Sequence, residues 1–191
     1  MLNEQELLSA LRRRDPAAFN QLFDTYSDKV YRLAFSQLEN EDEAEGVVQD
    51  AFLRLFERLD QFEGRSKLST WLYRVAYNLC QDRLRQRRPL LSLDEDNDDD
   101  DLPAPTVLID WEDLPEQYLS AAEVSAELDR AIATLPPKLK TVFTLREMEG
   151  LSTQECVEVL DISVSAAKVR LHRARLLLRE QLAAYFAERV V

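Results

Sequence analysis

Between Asp42 and Leu59 the apolar residues Ala44, Val47, Val48, Ala51, Phe52, Leu55, Phe56 and Leu59 recur at helical spacing without a miss. That spacing lines one side of an α-helix and cannot be laid on a strand, whose faces alternate every second residue. The same period runs through most of the 191 residues, while glycines number only three and β-branched runs are scarce. An all-α protein follows.

Start and stop signals divide the pattern. A first helix is expected from about Asn3 to Arg14. Asp15-Pro16 then opens a second, with Asp as cap and Pro in the first turn, and an inner stripe of Phe19, Leu22, Phe23, Tyr26, Val30 and Ala34. The third is Asp42–Leu59, whose outward face carries Glu45, Gln49, Asp50, Glu57 and Arg58. A break at 61–67 precedes a fourth from about Ser69 to Arg87, stopped by Pro89. No period persists from Pro89 to about Ala121, where acids and prolines dominate as in an extended linker. Helices resume with Val124, Leu128, Ala131, Ile132 and Leu135. Pro136-Pro137 opens another, with Leu139, Val142, Phe143 and Leu145 inside. The expected organisation is two small helical domains, 1–88 and 123–191, joined by an acidic flexible linker, 89–122.

Charge is segregated along the chain. The total is −12, yet residues 63–88 hold seven bases (Arg65, Lys67, Arg74, Arg83, Arg85, Arg87, Arg88) against two acids. Residues 89–122 hold eleven acids and no base, and residues 123–191 hold ten of each. Two basic segments, 63–88 and 168–175 (Lys168, Arg170, Arg173 and Arg175 with no acid), therefore stand out within an acidic protein.

The fourth helix combines a core stripe, Leu68, Leu72, Val75, Ala76 and Leu79, with a polar stripe, Arg74, Asn78, Gln81 and Arg85. Trp71, Tyr73 and Tyr77 supply flat faces, and stacking a base on an aromatic ring is worth ~1–3 kcal/mol. An asparagine amide can read the edge of an unstacked base, which makes Asn78 a candidate base reader. Arg83, Arg85, Arg87 and Arg88 would attract phosphates at the helix end. Basic groups interleaved with aromatics suit melted DNA better than a duplex. The competing account is structural: Trp71 in the core and the tyrosines covering it.

Leu151–Glu180 reads as two helices joined by a tight turn. Ser152 with Glu155 forms a capping box, and Ser163 can accept the free amides of the second helix. Leu151, Val157, Leu160, Ile162, Ala167, Leu171, Ala174 and Leu178 supply the buried side, so Lys168, Arg170, His172, Arg173 and Arg175 are expected to point elsewhere. A basic helix behind a short partner is the pattern of a helix-turn-helix. An ordinary helical hairpin with a solvated basic face is the rival account.

Other classes find little support. No apolar run approaches the ~20 residues needed to cross a bilayer, so no membrane insertion is expected. The N-terminus lacks a basic start followed by an apolar block, which argues against a signal peptide. Cys156 falls at a core position and Cys80 at the edge of an apolar stripe. They lack CxxC spacing, and one histidine does not complete a zinc set, so neither metal nor cofactor is expected. A cytoplasmic compartment with reduced thiols is the default.

Two segments carry a resemblance: DEAEGVVQDAFLRLFERLDQFEGRSKLSTWLYRVAYNLCQDRLR at 42–85 and LPPKLKTVFTLREMEGLSTQECVEVLDISVSAAKVRLHRAR at 135–175. Their order resembles the extracytoplasmic-function (group IV) sigma factors of bacterial RNA polymerase, of the sigma-70 family, over nearly the whole chain. The resemblance implies a non-enzymatic specificity subunit that recruits core RNA polymerase to a promoter subset and helps open it. It places Gln49 and Asp50, with Glu45 on the same face, at the contact with the polymerase clamp. It assigns Arg65, Lys67, Trp71, Arg74, Asn78 and Arg85 to a melted −10 strand. It assigns Ser165, Lys168, Val169, Arg170, His172, Arg173 and Arg175 to −35 duplex, where Lys and Arg donate to guanine and Val169 meets a thymine methyl. An anti-sigma partner and a linker path through the polymerase are further implications. The chain departs from the family pattern at Gly46, where an acid is common, at Asp161, where glycine is common, and at Ser165, Ala166, Ala167 and Val169. The alternatives are a helix-turn-helix regulator of duplex DNA with no polymerase partner, and a protein-binding adaptor working through the acidic linker.

Overall fold

The computed structural model describes residues 3–64, 66–87 and 121–189, the last stretch without side chains at 121–125 and 186–189. Arg65, Arg88 and all but the last two residues of the expected linker lie outside the described residues. Among those described, every regular element is helical: α1 (Glu4–Arg12), α2 (Pro16–Leu38), α3 (Glu41–Arg58), α4 (Leu68–Arg87), α5 (Ala121–Thr134), α6 (Pro137–Phe143), α7 (Thr153–Leu160) and α8 (Val164–Arg189). By packing, the chain falls into two units, Met1–Glu95 with Gln154–Ile162, and Asp96–Thr153 with Ser163–Val191.

Local chemistry sets the first unit's boundaries. Asn3 Oδ1 accepts from the Glu6 amide at 2.9 Å and Glu6 Oε2 accepts from the Asn3 amide at 3.0 Å, a reciprocal cap on α1. Asp15 Oδ1 accepts from the Ala17 amide at 2.9 Å, with Pro16 opening α2 as expected. Glu39 ends α2 in a left-handed conformation at φ 51, and Asn40 caps α3 through the Glu43 amide at 2.9 Å. The start of α4 is tied to the other end of the unit, because the Leu68 amide donates to Glu4 Oε1 at 2.9 Å.

Helices α2, α3 and α4 pack against one another and α1 lies on α2. Ala44, Val47, Val48, Ala51, Phe52, Leu55 and Leu59 are buried, so the α3 stripe holds apart from Phe56. Phe56 is partly exposed and carries the Arg14 guanidinium 4.1 Å above its ring. On α2 the buried set is Ala18, Leu22, Val30, Leu33, Ala34 and Leu38; Phe23 is partly exposed, edging the core against Phe52. Cys80 is fully buried rather than at a stripe edge, and burial pushes its thiol up to about 12.

In the second unit Ala131, Leu135, Leu139, Ala174, Leu178 and Leu182 form one core from α5, α6 and α8. Helix α6 runs into a π-helical turn, Thr144–Met148, which the sequence pattern did not disclose. The Glu149 amide reaches back five residues to the Thr144 carbonyl at 3.0 Å, and Gly150, at φ 72, turns the chain out. Ser163 Oγ accepts from the Ala166 amide at 3.0 Å, capping α8 as expected. The residue that lets the chain turn before α8 is Asp161, at φ 54; aspartate tolerates this region better than most side chains, so glycine is not required.

Candidate functional site

Helix α4 begins one residue after Lys67, so Lys67, Trp71, Arg74, Asn78, Gln81 and Arg85 follow at steps of four and three along one side of the helix. At 1.5 Å per residue this line is about 27 Å long, enough to follow several nucleotides. Lys67, Arg74, Asn78 and Arg85 are exposed, and Trp71 is half-buried, its ring edge-on to Phe62 at 6.3 Å. Trp71 thus belongs partly to the core and partly to the surface. Lys67 pairs within the first unit with Glu155 at 2.9 Å, and the bond to that carboxylate raises its pKa. Arg85 lies 3.4 Å from Asp82 of its own helix, both well exposed.

Two expectations for this helix are corrected. Tyr73 is buried and packs edge-on to Tyr26 at 6.5 Å, so it offers no stacking face. Three residues before Ala76 and one after Leu72, it sits inside the apolar stripe. Arg83 and Arg87 do not form a free basic end, because both turn against α3. Arg83 Nη2 lies 2.8 Å from Asp50 and its Nη1 donates to the Glu43 carbonyl; Arg87 Nη2 lies 2.6 Å from Glu43.

The outward face of α3 presents Glu45 and Gln49, both exposed, with Asp50 half-exposed beside them. Leu53, four residues after Gln49, is 56% exposed on the same face. Single exposed apolar residues are common on protein surfaces, and this one falls outside the apolar stripe of its own helix.

On α8 the exposed residues Ser165, Lys168, Val169, His172 and Arg175 form one face from the first turn onward, and Arg173 is half-buried at its edge. Arg175 pairs with Glu147. Arg170 corrects the expectation that it points away from the buried side, being only 7% exposed. The buried line runs Ala167, Arg170, Ala174, Leu178, with Leu171 half-buried beside it. The one-residue swap arises because 167, 170 and 174 fit the 100° step as well as 167, 171 and 174.

Among the described residues no group of three or more His, Cys, Asp or Glu stands ready to hold a metal, and no helix is long and apolar enough to cross a membrane.

These surfaces coincide with two matched regions. Residues 22–89 match Sigma-70 region 2, and residues 125–178 match Sigma-70 region 4. An N-terminal set of helices whose α4 carries exposed basic residues, followed along the chain by a short helix, a turn and a longer helix with an exposed basic face, is the order of elements of the sigma-70 class. Over 176 residues the chain is 38% identical to the ECF RNA polymerase sigma factor SigW of Bacillus subtilis, covering 92% of this chain and 94% of that one. It is 35% identical to an ECF RNA polymerase sigma-E factor of Haemophilus influenzae, covering 91% and 92%. Among solved structures, CnrH in complex with the cytosolic domain of CnrY is similar at 25% identity and TM-score 0.65, covering 95% of this chain and 97% of that one. RpoE of Bartonella quintana with the anti-sigma factor NepR gives 25% and 0.63, covering 86% and 96%. The chain belongs to the extracytoplasmic-function sigma factors and directs RNA polymerase to promoters.

Proposed function

We propose that the three faces divide the work of promoter recognition. Helix α4 holds a melted −10 strand along Lys67, Trp71, Arg74, Asn78 and Arg85, with Arg65 preceding it in sequence. Arg74 and Arg85 meet phosphates, Trp71 gives a stacking edge, and Asn78 reads a base. Helix α8 reads −35 duplex in the major groove through Lys168, Val169, His172 and Arg173, with Ser165 and Arg175 towards the backbone. Buried Arg170 supports this helix from behind. Helix α3 docks on core RNA polymerase through Glu45, Gln49 and Asp50 around an apolar centre at Leu53. Both solved relatives were captured with a protein partner, which supports a protein regulator, an anti-sigma factor, for this chain as well.

The observation that carries the proposal is the exposed basic and amide line on α4. A duplex regulator with no polymerase partner has no use for such a line. The test is binding of a fluorescent non-template −10 oligonucleotide to holoenzyme. Asn78→Ala weakens this binding by roughly ten- to a hundredfold, the range of a lost base contact, and leaves −35 duplex binding unchanged. Equal loss on both DNAs would make Asn78 a structural residue.

A further inference from the structure

Gly46 lies in the middle of α3, where glycine costs roughly 1 kcal/mol against alanine and where no left-handed turn calls for it. The reason lies in the space it leaves. A Cβ at Gly46 would come within 3.0 Å of both Nη1 and Nη2 of Arg83 and 3.4 Å of its Cζ. The guanidinium therefore lies against the bare backbone of α3. From there Nη2 reaches Asp50 Oδ2 at 2.8 Å and Nη1 donates to the Glu43 carbonyl. Positions 43, 46 and 50 follow at steps of three and four, one line along the helix that the planar fork of Arg83 spans.

We propose that Arg83 is a positioning residue for polymerase binding, holding the Asp50 carboxylate in place, and that Gly46 is the opening that admits it. This rests on the assignment of the α3 face to core polymerase. A carboxylate on a free side chain loses rotamer entropy when a partner fixes it, and an existing charge-assisted bond removes much of that cost before docking. The Arg83 side chain is 23% exposed and Asp50 is 49% exposed, so the arginine holds the acid from the inside while half of the acid stays open to a partner. One turn on, Arg87 repeats the pattern, pairing with Glu43 at 2.6 Å and donating to the Leu38 carbonyl at 3.2 Å. Two arginines four apart thus clamp α4 to the polymerase-facing helix.

The test is titration of core polymerase with the full-length labelled protein, at a temperature where circular dichroism shows every variant folded. Asp50→Ala and Arg83→Ala each weaken binding by roughly three- to tenfold, and the double variant binds no worse than Asp50→Ala, as expected for coupled neighbours. Arg83→Lys keeps part of the affinity, because it keeps the charge without the fork. Gly46→Ala leaves every charge in place but displaces the guanidinium, and it weakens binding while melting no lower than wild type. Unchanged or tighter binding of Arg83→Ala beside a weakened Asp50→Ala would overturn the proposal, showing that the arginine only masks the acid or braces the fold. Losses that multiply in the double variant would overturn it too. Unchanged affinity of Asp50→Ala would overturn both this proposal and the polymerase assignment of α3.

Discussion

Gly46 and Gly150 carry the same side chain for opposite reasons. Gly150 sits at φ 72 with nothing within 4 Å of where a Cβ would be, so only its backbone conformation matters. Gly46 has ordinary helical geometry and a crowded Cβ site, so only space matters. Gly150→Ala should therefore cost about 1 kcal/mol in urea unfolding, the left-handed penalty for an L-residue. A second residue-scale prediction concerns Cys80, whose thiol is pushed up to about 12 by burial. The native protein should leave Cys80 unlabelled by iodoacetamide at pH 8.5, while urea-unfolded protein labels quickly; fast labelling of the folded protein would contradict the burial. The folded state holds this proton more tightly than the unfolded chain, so the residue's contribution is complete below about 9 and falls as pH rises from there towards 12.

At the scale of elements, the sequence discloses what depends on local period and loses what depends on distant neighbours. The α3 stripe and the caps at Asp15 and Ser163 are legible because each is set within one helical turn. The buried side of α8 was displaced at one position, since Leu171 is the more apolar choice while geometry buries Arg170. Tyr73 illustrates the same limit, because whether a tyrosine stacks or packs is decided by Tyr26, 47 positions earlier in the chain. The pairing of Arg83 with Asp50 spans 33 positions, and no spacing rule reports it. On the candidate site, the α4 line is legible as a repeat of three and four; Leu53 is legible as lying off the α3 stripe, but how far it is exposed depends on which face of α3 the other helices leave open. Leu53→Asp should weaken core-polymerase binding by roughly tenfold, the cost of one buried anchor, with little effect on thermal melting because the side chain is already exposed. A large fall in melting temperature would mean that Leu53 supports the fold.

Across the whole molecule, a net charge of −12 coexists with nucleic-acid-binding surfaces because the charge is segregated. At physiological salt the Debye length is about 8 Å, so each basic helix acts through its own neighbourhood rather than through the total. Family membership follows from both matched regions together; the division of labour between α4 and α8 is the claim that goes further. Its most direct test is start-site sequencing of RNA made in vitro by core polymerase with this protein on a genomic promoter pool, repeated with Asn78→Ala and with Lys168→Ala. The expected start sites require the protein and share a −35 and a −10 motif, with Asn78→Ala relaxing only the −10 motif and Lys168→Ala only the −35 motif. Uniform loss of transcripts with both motifs unchanged in either variant would contradict it.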